Sequence, residues 1–257
     1  MELKNSTILI TGGTSGIGLE FVKQLTQQRA NIVITGRNLD KLNETKKQFP
    51  QVAIFQSDVS NPKDIEALYQ QVTRQFPNLN IIINNAGIMR NLSLHDTSMS
   101  LENITAELDI DLSGVIQMNH QFLPHLKTQQ SAAIVNISSG LAFIPFPVSP
   151  IYSAAKAGLH AYTRVLRLQL RNTPVKVFEI APPATDTSLG DAFTGLVDPS
   201  MNMKVDKMVS QSIQGLLKDN LEIKPGMSKM MKTLGRFAPD FALNFMHSSI
   251  EKARRNK

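Results

Sequence analysis

The chain has 257 residues, 42% hydrophobic and 19% charged, an ordinary balance for a globular protein with a sizeable core. It contains no cysteine, which excludes a disulfide framework, a thiolate nucleophile and a cysteine metal cluster. The net charge of +6 sits at one end: from Lys224 onward eight basic residues face only Asp240 and Glu251, while the rest is balanced at 19 of each sign. A neutral main part argues against a nucleic-acid partner and leaves only the tail to raise an anionic membrane surface.

The opening MELKNSTILITGG has too short an apolar run for a signal peptide, and nothing later reaches the length of a membrane span. A cytoplasmic chain is expected. Ser6–Thr11 reads as a first strand and GIGLEFVKQLTQQ as a first helix, joined through Gly12-Gly13-Thr14-Ser15-Gly16-Ile17-Gly18. A glycine-rich turn in that context lets backbone N–H groups approach a phosphate at the positive end of a helix. Gly12, Thr14, Ser15, Gly16, Ile17 and Gly18 are therefore candidate dinucleotide contacts.

Five more β-branched runs follow: Asn31–Thr35, Val52–Ser57, Asn80–Asn85, Ala132–Ser138 and Val175–Ala181. Several are apolar nearly throughout, as parallel strands covered on both faces are. Amphipathic segments such as NPKDIEALYQQVTRQF separate them. The alternation predicts an α/β doubly wound parallel sheet flanked by helices, and no linker or repeat divides residues 1–257 into more than one domain. Between the fourth and fifth strands, AELDIDLSG alternates like a strand, yet Leu101, Ile104, Leu108, Leu112, Val115 and Ile116 fit a helix running to Lys127.

The third strand runs into Asp58-Val59, the fourth into Asn84-Asn85-Ala86-Gly87 and the fifth into Ser139. Tyr152 and Lys156 stand four apart in a strongly helical run, on one face, and the sixth strand leads to Pro182 and Thr187. An ammonium beside a phenol favours the phenolate, so such a pair suits proton transfer to or from a carbonyl oxygen. The second strand ends in Gly36-Arg37, with no acid to hold a 2′-hydroxyl and an arginine able to pair with a 2′-phosphate. NADP(H) is thus favoured over NAD(H).

Six motifs in this order, together with the TGxxxGxG spacing of the first turn, resemble the short-chain dehydrogenase/reductase family over roughly residues 5 to 190. Within it, ITGGTSGIG, NNAGIMR, VNISSGLAF and APPATDT resemble the oxidoreductases encoded beside teichoic-acid D-alanylation genes. The resemblance implies a Rossmann-type fold and hydride transfer between a nicotinamide and a small carbonyl or alcohol. It implies Tyr152 as general acid/base, Ser139 on the substrate oxygen and Lys156 on the nicotinamide ribose. It also implies Asp58 on the adenine amino group, Asn84 through Gly87 behind the adenine ribose, and Thr187 on the carboxamide. Asp111 falls where the family usually has an asparagine that holds a helix kink and a water leading to the lysine; as a carboxylate it can only accept hydrogen bonds.

Two other readings of the residues stand beside this one. Ser153-Ala154-Ala155-Lys156 is an S-x-x-K serine-hydrolase motif, without its usual companions. A dinucleotide-binding sensor without turnover would need the same first turn. Phe143, Phe146 and Val148 are expected either to line an apolar substrate pocket or to meet a neighbouring subunit. Residues 188–257 are expected to form a lid and a basic C-terminal helical extension, in which Met227, Met230, Met231, Leu234 and Phe237 oppose Lys229, Lys232 and Arg236. A homodimer or homotetramer through helices 101–127 and 152–171 is expected, and no metal site.

Overall fold

The computed structural model describes residues 2–255. Its centre is a seven-stranded, wholly parallel sheet in the order β3-β2-β1-β4-β5-β6-β7. The strands are β1 (Thr7–Thr11), β2 (Asn31–Gly36), β3 (Ala53–Gln56), β4 (Leu79–Asn84), β5 (Ala132–Ile137), β6 (Val175–Ile180) and β7 (Glu222–Ile223). The first six match the expected runs to within a residue or two. The seventh is an addition: at two residues it is too short to leave a pattern in the sequence, and it pairs with Glu179 and Ile180 while Ile223 packs into the core.

Helices cover both faces. On one side Ile8, Ile10, Ile34, Ile83, Val135 and Phe178 meet Phe21, Val22 and Leu25 of α1 (Gly16–Gln27) and Met208, Val209 and Ile213 of α8 (Val205–Leu217). On the other, Leu9, Val33, Ile82, Ile134 and Val177 meet Ile65 and Leu68 of α3 (Pro62–Gln75), Met118 and Phe122 of α6 (Gly114–Lys127) and Leu166 of α7 (Pro150–Gln169). Odd and even strand positions thus serve opposite layers, which is why the strands carry no polar face. Each large side chain buried this way contributes about 1.5–3 kcal/mol. The remaining helix before β3 is α2 (Leu39–Gln48).

The segment expected as one helix from Leu101 is broken. It forms α4 (Leu101–Ile104), α5 (Ala106–Leu108) and a π turn, Asp109–Ser113, before α6. The π turn takes in the middle of AELDIDLSG, and such turns insert one extra residue into a helix at a place that function uses. Glu107, Ile110 and Asp111 point inward while Asp109 stays exposed.

The strand order reverses between β1 and β4, so a crevice opens at their carboxyl ends, the general ligand position of such sheets. Beyond β7 the chain forms α9 (Ser228–Phe237) and α10 (Pro239–Arg255). Ile250 and Met246 of α10 pack with Phe193, Leu196, Phe146 and Val148 in a third apolar cluster.

Candidate active site

The turn after β1 is shaped by close approach. Gly12 and Gly16 have φ of +66° and +50°, and a Cβ on Gly18 would lie 2.2 Å from the Gly12 carbonyl oxygen. The Thr11 hydroxyl accepts from the backbone N–H groups of Asn85 (2.9 Å) and Ala86 (3.0 Å), and the Asn85 amide donates to Thr11 and Gly12 carbonyls. These bonds tie the two sides of the crevice. Ser15 makes no side-chain cap, which leaves the first N–H groups of α1 for an anion. Ile17 leans on the core below, and Thr14 lies half-buried in the turn. Thr187 lies across from it, within 3.4 Å of where a Gly16 Cβ would stand.

At the end of β2, Arg37 is 62% exposed, with Nη1 3.8 Å from the Asp58 carboxylate. The two border a hollow of about 360 Å³ completed by Gln56, Ser57, Asp64 and Ala67. Asp58 also accepts from the Ser60 N–H and hydroxyl at 2.9 and 2.7 Å, while Val59 is buried in the sheet's second apolar layer. Pro182 is buried and its carbonyl accepts from the Gly140 N–H at 2.7 Å, linking the ends of β5 and β6.

Asn84 does not face the crevice with its side chain. Its amide donates to Asn119 (2.7 Å) and Asn136 (2.9 Å), and Asn136 donates to Thr163 (2.9 Å), all four buried beneath the site.

Ser139, Tyr152 and Lys156 converge. Ser139 ends β5's exit and accepts from the Leu141 N–H at 3.1 Å, with its hydroxyl turned to the same site as the Tyr152 phenol. The Lys156 ammonium stands 5.5 Å from the centre of the Tyr152 ring and donates to the Ile137 carbonyl at 3.1 Å. Asp111 reaches the same ammonium from the π turn, Oδ1 at 3.0 Å, while its Oδ2 accepts from the Ile88 N–H at 3.2 Å. Burial pushes the Tyr152 phenol above its usual range; Asp111 and Glu107 push the same way, against Lys156 and the Ser139 hydroxyl. Burial pulls Lys156 down, but Asp111 and Tyr152 outweigh it and hold the ammonium above its usual range.

Arg90 closes the NNAGIMR stretch and Glu107 lies in AELDIDLSG, but the sequence assigns neither a role. Glu107 is fully buried, accepts from the Arg90 N–H at 2.8 Å and ion-pairs with its guanidinium at 3.2 Å. The one signal available is spacing, since Glu107 sits one helical turn before Asp111.

The S-x-x-K arrangement is absent. The Ser153 hydroxyl donates to the Ser149 carbonyl (2.8 Å) and accepts from the Phe146 N–H (2.9 Å), while Lys156 is engaged elsewhere. Phe146 and Val148 neither reach a neighbouring surface nor stand open. They are buried in the cluster that Phe193 and Ile250 of α10 complete, with the Phe146 and Phe193 rings 5.3 Å apart. Phe143 sets its ring against the edge of His160 at 5.2 Å.

The family model for short chain dehydrogenases matches residues 6–194. The uncharacterized oxidoreductase DltE of Bacillus subtilis is 42% identical over 189 residues, 74% of this chain and 75% of its own length. An uncharacterized oxidoreductase of Staphylococcus epidermidis is 34% identical over 189 residues, 73% of this chain and 81% of its own. Among solved structures, a short chain dehydrogenase from Burkholderia cenocepacia in complex with NADP superposes with a TM-score of 0.82 at 21% identity, over 96% of this chain and 99% of that one. A second, from Burkholderia phymatum in complex with NAD, gives 0.81 at 20% identity, over 90% and 93%. With the glycine turn, the parallel sheet and the match over most of its length, this chain belongs to the short-chain dehydrogenase/reductase family and is an NAD(P)-dependent oxidoreductase of DltE type.

Proposed function

We propose that the chain is an NADP(H)-dependent oxidoreductase in which Tyr152 exchanges a proton with the oxygen of an apolar carbonyl or alcohol. The observation that carries this reading is the convergence of Ser139, Tyr152 and Lys156 beside the glycine turn. The turn fits a dinucleotide: its positive-φ glycines and the uncapped first turn of α1 form a cradle for a pyrophosphate. Gly12 to Gly18 would hold the phosphates, Arg37 and Asp58 would border the adenosine end, and Lys156 and Thr187 would stand at the nicotinamide end. A bound nicotinamide supplies or accepts the hydride. Ser139 orients the substrate oxygen, Tyr152 gives or takes its proton, and Lys156 stands beside the Tyr152 ring.

Arg37 at the end of β2, with glycine rather than an acid before it, supports the 2′-phosphate. Exposed Val165 and Leu168 on α7 support pairing of two copies, and the outer face of α9 and α10 supports contact with an anionic membrane surface.

A panel of carbonyl compounds followed by NADPH absorbance tests the chemistry. Tyr152→Phe, which keeps the ring and removes the proton, is expected to lose about 10²–10⁴-fold in turnover. Full turnover in that variant would reject the assignment of Tyr152.

A further inference from the structure

An ammonium helps a neighbouring phenol ionise only if its charge is not already met. Here it is met. Asp111 is wholly buried, and its Oδ1 lies 3.0 Å from the Lys156 ammonium. The carboxylate is fixed from two sides: the Ile88 N–H binds Oδ2, and the glycine at position 87 makes room for Oδ1, which would be 2.3 Å from a Cβ there. Glu107, one turn earlier, has a cation of its own in Arg90, whose guanidinium also donates to Asn103 and the Ile104 carbonyl.

The charged groups acting on Tyr152 are therefore Lys156 from its own helix, Asp111 from the π turn and Glu107 from α5, with Arg90 offsetting Glu107. The Ser139 hydroxyl adds a neutral dipole that favours the phenolate. Their sum near the ring is close to zero, and the ring itself is almost fully buried. A phenolate formed there would lack both water and an uncompensated cation.

We propose that Asp111 is a positioning residue that neutralises Lys156 and keeps Tyr152 a phenol through the neutral range, so that the site is built to deliver a proton in carbonyl reduction. The proposal rests on the reading of Tyr152 as the proton donor. In reduction Tyr152 would give its proton to the substrate oxygen while a bound reduced dinucleotide would supply the hydride to the carbonyl carbon, and the phenolate would be reprotonated from bulk solvent after the product leaves. In the reverse direction Tyr152 must first be a phenolate, so alcohol oxidation runs well only in alkaline solution. The upward displacement of the Tyr152 phenol and the Lys156 ammonium agrees with this balance of charges.

The test uses the chain's own spectroscopy. It has three tyrosines and no tryptophan, so ionisation of phenols can be followed by ultraviolet absorbance, and the transition lost in Tyr152→Phe belongs to Tyr152. In Asp111→Asn, nearly isosteric and uncharged, that transition is expected to fall by about one pH unit or more. The alkaline rise of alcohol oxidation should move down with it. Glu107→Gln is expected to give a smaller fall in the same direction. An unchanged Tyr152 transition would overturn the proposal; so would an upward one, which would mean that Lys156 sheds its proton once Asp111 is neutral. Circular dichroism checks folding, and Asp111→Ser replaces the asparagine variant if that one does not fold. If Tyr152→Phe keeps full turnover, the catalytic reading fails while the titration still reports whether Asp111 restrains the phenol, so the two failures are told apart.

Discussion

Arg37 illustrates how much a single side chain is asked to decide. Its guanidinium is mostly in water, with only the Asp58 carboxylate at 3.8 Å, so a 2′-phosphate entering the hollow beside it would meet an available fork of donors. Hydrogen bonds to charged groups contribute about 1.5–3 kcal/mol, or roughly ten- to a hundredfold in affinity. Arg37→Ala should weaken NADPH by that factor and leave NADH nearly unchanged, as fluorescence titration of both would show; an unchanged ratio of the two dissociation constants would remove Arg37 from specificity. Arg37 is legible in the sequence because the end of the second strand is a fixed place in such folds. So are Tyr152 and Lys156, because a spacing of four on a helix brings side chains together without help from the rest of the chain. Asn84 is legible only as a letter in a motif. Its side chain turns into a buried amide network with Asn119, Asn136 and Thr163, partners 27 to 52 residues apart along the chain. Glu107 and Arg90 stay hidden for a related reason: nothing local says that a glutamate one turn from an aspartate is buried and paired.

At the scale of elements, the apolar strands announce themselves because both faces of the sheet are covered. The π turn does not, since its inserted residue satisfies the same helical apolar pattern while rotating the residues after it. The C-terminal pattern suggests one basic amphipathic segment, whereas α9 is fastened by its inner side. Lys232 pairs with Glu222 of β7 and stands 5.6 Å over the Phe143 ring, and Met231 lies against Gly140. Gly235 brings α9 closest: a Cβ there would be 2.1 Å from the Phe143 carbonyl oxygen, which is backbone and cannot turn aside. Because Phe143 lies four residues beyond Ser139, Gly235→Ala should disturb both stability and substrate fit. Overpacking of this kind costs about 1–3 kcal/mol. A lower midpoint in thermal unfolding with a raised KM is the expected pair of results. Unchanged values for both would show that α9 can shift without moving the loop over the site.

For the whole molecule, the decisive asymmetry is that charge and exposed apolar surface gather in the same helices. Along α10, Ala242, Met246 and Ile250 face inward, while Phe241 and Phe245 stack 6.3 Å apart on the outside, ahead of Lys252 and Arg255 on the same stripe. On α9, Met230 and Phe237 are exposed beside Lys229 and Arg236. No helix among the described residues is long and apolar enough to cross a membrane, so contact would be with a surface. Two copies meeting through this face would bring like charges together, whereas anionic headgroups would neutralise them and take up the rings; each basic residue near such a surface contributes about 1 kcal/mol. Deleting residues 224–257 would be a poor test, since it would strip Ile250 and Met246 from the cluster that holds Phe193 and Phe146. Replacing Phe237, Phe241 and Phe245 with serine leaves that cluster whole. Wild type should sediment with anionic vesicles and not with zwitterionic ones, and the triple variant should stay in solution while keeping its turnover of a small soluble carbonyl. A variant that instead changes its sedimentation coefficient without vesicles, with wild type indifferent to lipid, would assign the face to a second copy of the chain.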